Sequence, residues 1–203
     1  MVGYFTTPLT KKPGIKPGSV DVIVITGHPA TGKTTLARHI ATELRLPLVC
    51  RDQIKETLLD TLGWSTDAWS RQLSAAAWTL LYQQVEGLLQ ADIAHVVESN
   101  FDPVYANAHW QQLAKQYPLH LIQVRCETDS EVLIQRYRER VRSGDRHPGH
   151  VDQSDDPAFL ALLRRGPMPW IDVPGPRIRV DASDLATFRL QDVLRSINQN
   201  RTE

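Results

Sequence analysis

The run Gly27-His28-Pro29-Ala30-Thr31-Gly32-Lys33-Thr34 fits the phosphate-binding pattern G-x-x-x-x-G-K-[ST] without a gap, and Thr35 follows it. Each residue type has a physical task in that pattern. Gly27 and Gly32 allow backbone conformations and close approaches that a side chain would block, so successive N–H groups can converge on a phosphate. Lys33 is a mobile cation for β- and γ-phosphate oxygens, and Thr34 offers a hydroxyl to a Mg²⁺ ion bridging the same oxygens. His28, Pro29, Ala30 and Thr31 complete the loop that would wrap the nucleotide phosphates. Such a loop works only when a buried strand delivers it and a helix N-terminus receives the anion. The apolar run 20–26 reads as that strand, and 34–44, with Leu36, Ile40 and Leu44 along one face, reads as that helix.

Beyond the loop, chemistry concentrates at the carboxyl ends of later strands. Arg51-Asp52-Gln53-Ile54-Lys55 follows the short apolar run Leu48-Val49-Cys50. Asp52 has two compatible readings: an N-cap of the next helix, or a carboxylate near the γ-phosphate that orients an attacking hydroxyl and accepts its proton. Lys55 lies one turn on, either as a ligand for an anionic substrate group or as a solvated lysine. Glu98 ends the strand candidate 94–98, where an acid would hold Mg²⁺ or its water. Asn100 is a candidate hydrogen-bonding residue for substrate, and Asp102-Pro103 reads as a cap followed by proline at the first helical position.

Between Arg136 and Arg146 there are five arginines in eleven residues, with Arg136 and Arg140 on one helix face. They read either as a solvated face or as a lid, at about 136–160, whose guanidinium groups close on a triphosphate. His147, His150 and Asp152 invite a metal reading, but Pro148-Gly149 prescribes a turn and no fourth ligand is nearby, so a lid-tip loop is preferred. Gly166 to Pro176 reads as a stiff connector to a last strand at 177–180. The loop Asp181-Ala182-Ser183-Asp184 is either a plain turn or a border to adenine.

The chain has 203 residues, 41% hydrophobic and 23% charged, enough for one sizeable core. Residues 1–19 carry turn formers without a period and read as a flexible tail, leaving 20–203 as one domain. Lys+Arg and Asp+Glu are both 23, so no global field favours nucleic acid or an anionic membrane. No apolar stretch approaches the roughly 20 residues that span a bilayer, and the chain reads as cytoplasmic. Cys50 and Cys126 sit at strand ends and read as buried thiols. A further strand is expected at 119–124, and helices near 53–62, 67–91, 104–116, 129–142 and 189–199. That alternation is the pattern of an α/β parallel sheet covered on both faces. The helix at 67–91 carries an apolar stripe through Leu73, Ala77 and Leu81, with Trp78 and Tyr82 four apart on an adjoining face. It reads mostly as core, and is also the stretch best placed to hold acceptor specificity.

The set G-x-P-x-x-G-K-T-T-L-A, Arg-Asp-x-Ile-Lys, Glu-Ser-Asn-Phe and the arginine helix resembles the P-loop kinase branch that contains polynucleotide kinase, zeta toxin and chloramphenicol phosphotransferase. It looks most like the "predicted kinase" or AAA-family ATPase group of that branch, over about residues 20–184. The resemblance implies a five-stranded sheet of order 2-3-1-4-5 and the cofactors ATP and Mg²⁺. It implies nucleotide and metal contacts for Lys33 and Thr34, a general base at Asp52, and lid arginines at Arg140 and Arg136. Two departures, Lys55 in place of an Arg and Glu98 in place of an Asp, argue against a polynucleotide acceptor. The leading expectation is an ATP-dependent kinase acting on a hydroxyl of a small molecule or nucleotide. The alternatives are a 5′-hydroxyl polynucleotide kinase, disfavoured by zero net charge, and a nucleotide-gated regulatory protein.

Overall fold

The computed structural model describes residues 19–144, 146–150, 155–184 and 188–202. All of the expected tail but Ser19, and residues 145 and 151–154 of the expected lid, lie outside the described residues. The elements run β1 (Val20–Thr26), α1 (Lys33–Leu44), β2 (Leu48–Cys50), α2 (Arg51–Leu62), α3 (Asp67–Gln90), β3 (His95–Glu98) and α4 (Pro103–Gln116). They continue with β4 (Leu119–Glu127), α5 (Ser130–Ser143), α6 (Pro157–Arg164), β5 (Arg177–Asp181) and α7 (Leu190–Asn200). The five strands form one parallel sheet in the order β2-β3-β1-β4-β5, the order that the resemblance implies.

The sequence pattern explains the layering. β1 lies at the centre and is buried along its whole length, because helices cover both faces of a parallel sheet. Alternate side chains divide between two cores. Val22 and Val24 join Leu81 and Val85 of α3 and Trp110 of α4. Ile23 and Ile25 join Leu36 and Ile40 of α1 and Val193, Leu194 and Ile197 of α7. No helix among the described residues is long and apolar enough to cross a membrane.

Two elements depart from the expected pattern. β4 continues to Glu127, past the expected end at Val124, although it carries the charged Arg125. Arg125 is tolerated there because its guanidinium bonds Glu127 at 2.6 and 2.9 Å and stacks 4.0 Å from the Trp170 ring centroid. The short helix α6 was not expected. It starts with Asp156 as N-cap, bonded to the Ala158 N–H, and Pro157 at the first position, and packs Leu160 and Leu163 on Leu133, Ile134 and Tyr137 of α5. This is the same Asp-Pro start that Asp102 and Pro103 make for α4.

The connector before β5 is pinned by a buried amide. Gln123, fully buried in β4, donates to the Ile171 carbonyl at 3.0 Å and the Val173 carbonyl at 3.3 Å, and accepts from the Ile171 N–H at 3.0 Å. Gln123→Leu conserves bulk but orphans those backbone groups. The expected outcome is a loss of about 2–4 kcal/mol, read from urea unfolding. A loss under about 0.5 kcal/mol would show that the pin contributes nothing.

Candidate nucleotide and phosphoryl-transfer site

The loop between β1 and α1 is shaped by contacts that only certain residues permit. Gly27 has φ 149°, and a Cβ there would stand 2.6 Å from the Cys126 carbonyl oxygen of β4, so a side chain would collide with the sheet. Gly32 takes a left-handed φ of 83° as the N-cap of α1. Ala30 also has positive φ, 67°, which is uncommon for a residue with a Cβ. The loop is braced from inside and outside. Thr31 Oγ1 donates to the His28 carbonyl at 2.8 Å, and His28 Nε2 pairs with the Gly166 carbonyl at 2.9 Å. Burial is the main reason the His28 imidazole titrates below its ordinary value, so the side chain acts as a neutral strut.

The first carboxylate of the cleft is placed where three strands lie side by side. Glu98, 2% exposed, ends β3 and pairs in register with Ile25 of β1 and Cys50 of β2. Its Oε2 accepts from Thr34 Oγ1 at 3.2 Å and from the Cys50 thiol at 2.9 Å, while Lys33 Nζ lies 3.8 Å from Oε1. Burial, then the neighbouring Glu98, pushes the Cys50 thiol up to about 12, so it stays protonated and donates. Hard oxygen donors from Thr34 and Glu98, side by side at the start of α1, fit Mg²⁺.

The second carboxylate, Asp52, lies in the first turn of α2. Cys50 is the N-cap and no side chain caps that helix, so the capping reading of Asp52 is not realised. Its carboxylate is held by two arginines instead: Oδ1 by Arg51 at 2.9 Å and Oδ2 by Arg146 at 3.0 Å. Burial pushes this carboxyl up. Arg146, Arg51, Lys33 and His150 outweigh burial and hold it at about 2.

These groups share a cleft of about 470 Å³. Lys33, Asp52, Lys55, Glu98, Asn100 and Arg140 of the expected site residues line it, with Pro29 of the loop. Six Lys or Arg and four Asp or Glu line its walls, a local surplus of cations in a chain of zero net charge. Lys55 is buried and donates to Ser70 Oγ at 2.9 Å, and Ser70 donates to the Gly149 carbonyl at 2.7 Å. Arg136 does not line the cleft. Its guanidinium grips the Ala182 and Ser183 carbonyls at 2.6 and 3.0 Å and braces the loop after β5.

The segment 146–150 lies against α2 rather than gathering a metal set. His147 pairs with Asp60 and His150 with Glu56, each at 3.0 Å, while Asp152 lies outside the described residues. Sequence reasoning missed Cys50, Ser70 and Arg146 as parts of the site. Arg146 carried a signal as one of five clustered arginines, but Cys50 and Ser70 gain meaning only once β2, β3 and α3 are neighbours.

The sequence profile of the AAA domain family matches residues 22–161. The chain superposes on the crystal structure of a "putative kinase" from Chloroflexus aurantiacus with a TM-score of 0.85 at 38% identity, over 90% of this chain and 99% of that one. A sugar kinase from Janibacter sp. superposes with a TM-score of 0.52 at 13% identity, over 90% of this chain and 94% of that one, a likeness of fold alone. Among curated proteins, none matches this sequence. The profile spans most of the chain, the Chloroflexus protein is similar along nine tenths of it, and the phosphate loop sits where the parallel sheet requires; the chain belongs to the AAA domain family and is P-loop kinase-like.

Proposed function

We propose that the protein is an ATP-dependent kinase that transfers the γ-phosphoryl group to a hydroxyl of a small molecule. The observation that carries this reading is the meeting, in one cationic cleft, of the Lys33–Glu98–Thr34 cluster and a second, independently held carboxylate, Asp52. A protein that only bound or hydrolysed nucleotide has less need of a carboxylate set apart from the Thr34–Glu98 pair.

The loop backbone from Gly27 to Thr34, with Thr35 behind it, holds the β-phosphate, and Lys33 neutralises the bridging and γ-oxygens. Thr34 and Glu98 would hold Mg²⁺, which neutralises charge on the β- and γ-phosphate oxygens. Asp52 takes the acceptor hydroxyl as a hydrogen-bond donor and receives its proton. The acceptor oxygen bonds to the γ-phosphorus as the bond from that phosphorus to the β–γ bridging oxygen breaks, ADP departs with those electrons, and the proton passes to Asp52 late in the step. A carboxyl held near 2 is a weak base, which suits a loose transition state in which the proton leaves late. Bound phosphates offset the cations around Asp52 and raise its basicity when the substrate is present. Arg140 meets the transferring group from α5, and the segment at about 136–160 serves as the lid of a domain spanning 20–203. Lys55 and Asn100 face the acceptor, and Arg136 reaches the nucleotide side through the Ala182–Ser183 loop.

Asp52→Asn should leave ATP affinity nearly intact and lower phosphoryl transfer by about 10²-fold or more; full turnover on the true acceptor would remove the base assignment. Lys33→Ala should weaken nucleotide binding in calorimetry, and unchanged affinity would remove the phosphate-loop assignment. Arg146→Ala withdraws a cation that favours ionised Asp52, so the carboxyl should titrate above its present value of about 2. Carboxyl-carbon NMR reads the shift directly. A titration that stays in place would show that Arg146 does not set the charge on Asp52.

A further inference from the structure

A second cleft, of about 780 Å³, opens between α3 and α4 next to the first. Arg51 and Asn100 line both. One face of α3 forms the continuous wall. Ser70 and Ser74 face the catalytic cleft, and Trp78 and Tyr82 face the second, each four residues on from the last. At 1.5 Å per residue, Trp78 lies about 6 Å and Tyr82 about 12 Å along the helix from Ser74.

The character of the wall changes along that line. The catalytic end is polar and charged, whereas the second cleft is built of stacked rings. Tyr82 lies parallel to His109 of α4, with centroids 4.3 Å apart and planes 7° apart, and Trp78 stacks on Tyr82 at 6.0 Å. Phe101 and Trp110, both fully buried, support this stack from below. Tyr105 stands at the rim, 76% exposed. Arg51 joins the two ends, its guanidinium 5.5 Å from the Trp78 ring centroid and 2.9 Å from Asp52 Oδ1. Half-buried rings that line an open cleft favour a planar apolar ligand. Its continuity with the catalytic cleft makes the acceptor, rather than a separate partner, the occupant.

We infer that the aromatic cleft is the outer half of the acceptor site, and that the acceptor is an elongated molecule with a hydroxyl-bearing polar end at Asp52 and a planar aromatic or heteroaromatic ring on Trp78 and Tyr82. This inference rests on the kinase reading. A small ring-free polyol would fill only the polar end and leave the stack in water.

The test compares ring-bearing alcohols (adenosine, thymidine and 1-phenyl-1,2-ethanediol) with ring-free polyols (glycerol, sorbitol and gluconate), using Mg²⁺·ATP and mass spectrometry of the products. The expected result is a preference of at least about tenfold in kcat/KM for a ring-bearing acceptor. Tyr105→Ala and Ala75→Trp alter exposed groove positions that the core does not use. The first removes a rim ring and the second fills the cleft. Each should raise KM for that acceptor by at least about fivefold without a matching change in ATP affinity. Preferred transfer to a polyol, or unchanged KM in both variants, overturns the inference and leaves the kinase reading standing. Failure of every acceptor while ATP still binds overturns both. Loss of ATP affinity in the variants would assign the cleft to the donor and overturn the inference alone.

Discussion

A buried carboxylate without partners costs several kcal/mol, and the organisation of the site follows from how Glu98 avoids that cost. It stands at the carboxyl edge of β3, between β1 and β2, where Thr34, Lys33 and the Cys50 thiol each approach it. The three neighbours come from two different elements. The register between β2 and β3 must therefore be right for the thiol to reach, and the phosphate loop must turn correctly for the lysine and the hydroxyl to do so. The high pKa of Cys50 keeps the thiol protonated, so that it donates to Glu98 Oε2 and holds the carboxyl group beside the loop.

The second half of the site solves a different electrostatic problem. In the proposed kinase a cleft that receives a polyphosphate carries surplus cations, yet a base among those cations is weakened. Asp52 sits in that conflict, with Arg51 and Arg146 on its two oxygens. Arg146 lies beyond the C-terminal end of α5, and its neighbours His147 and His150 attach the same segment to α2. One of the two arginines on Asp52 thus comes from the segment proposed as the lid, and the other, Arg51, from α2 itself.

How much of this was legible depends on whether the signal was local. The phosphate loop is, because glycine, lysine and threonine have fixed offsets and their roles follow from those offsets. Asp52 and Glu98 were found because the carboxyl ends of strands are where chemistry sits, and the sheet order came from the family resemblance. The Cys50–Glu98 bond was invisible, since it joins residues 48 apart through a strand pairing that no local pattern encodes. Arg146 and Asp52, 94 apart, meet by the same kind of long-range closure. Arg136 shares a face with Arg140, yet the two reach different surroundings because Arg136 finds the Ala182 and Ser183 carbonyls within bonding distance. Trp78 and Tyr82 were visible as a pair, but His109, which completes their stack, comes from α4. The helix α6 carried a readable Asp156-Pro157 start, obscured by the surrounding run of turn-forming and charged residues.

The proposed role of Glu98, to serve the metal of a bound nucleotide, can be read from calorimetry of Glu98→Gln with ATP, with and without Mg²⁺. Gln keeps the shape and can still accept from Thr34 and Cys50, but it loses the charge that a hard cation requires. Mg²⁺ should strengthen ATP binding to the native protein by about tenfold or more, and most of this gain should disappear in the variant. An equal gain from Mg²⁺ in both proteins would contradict it.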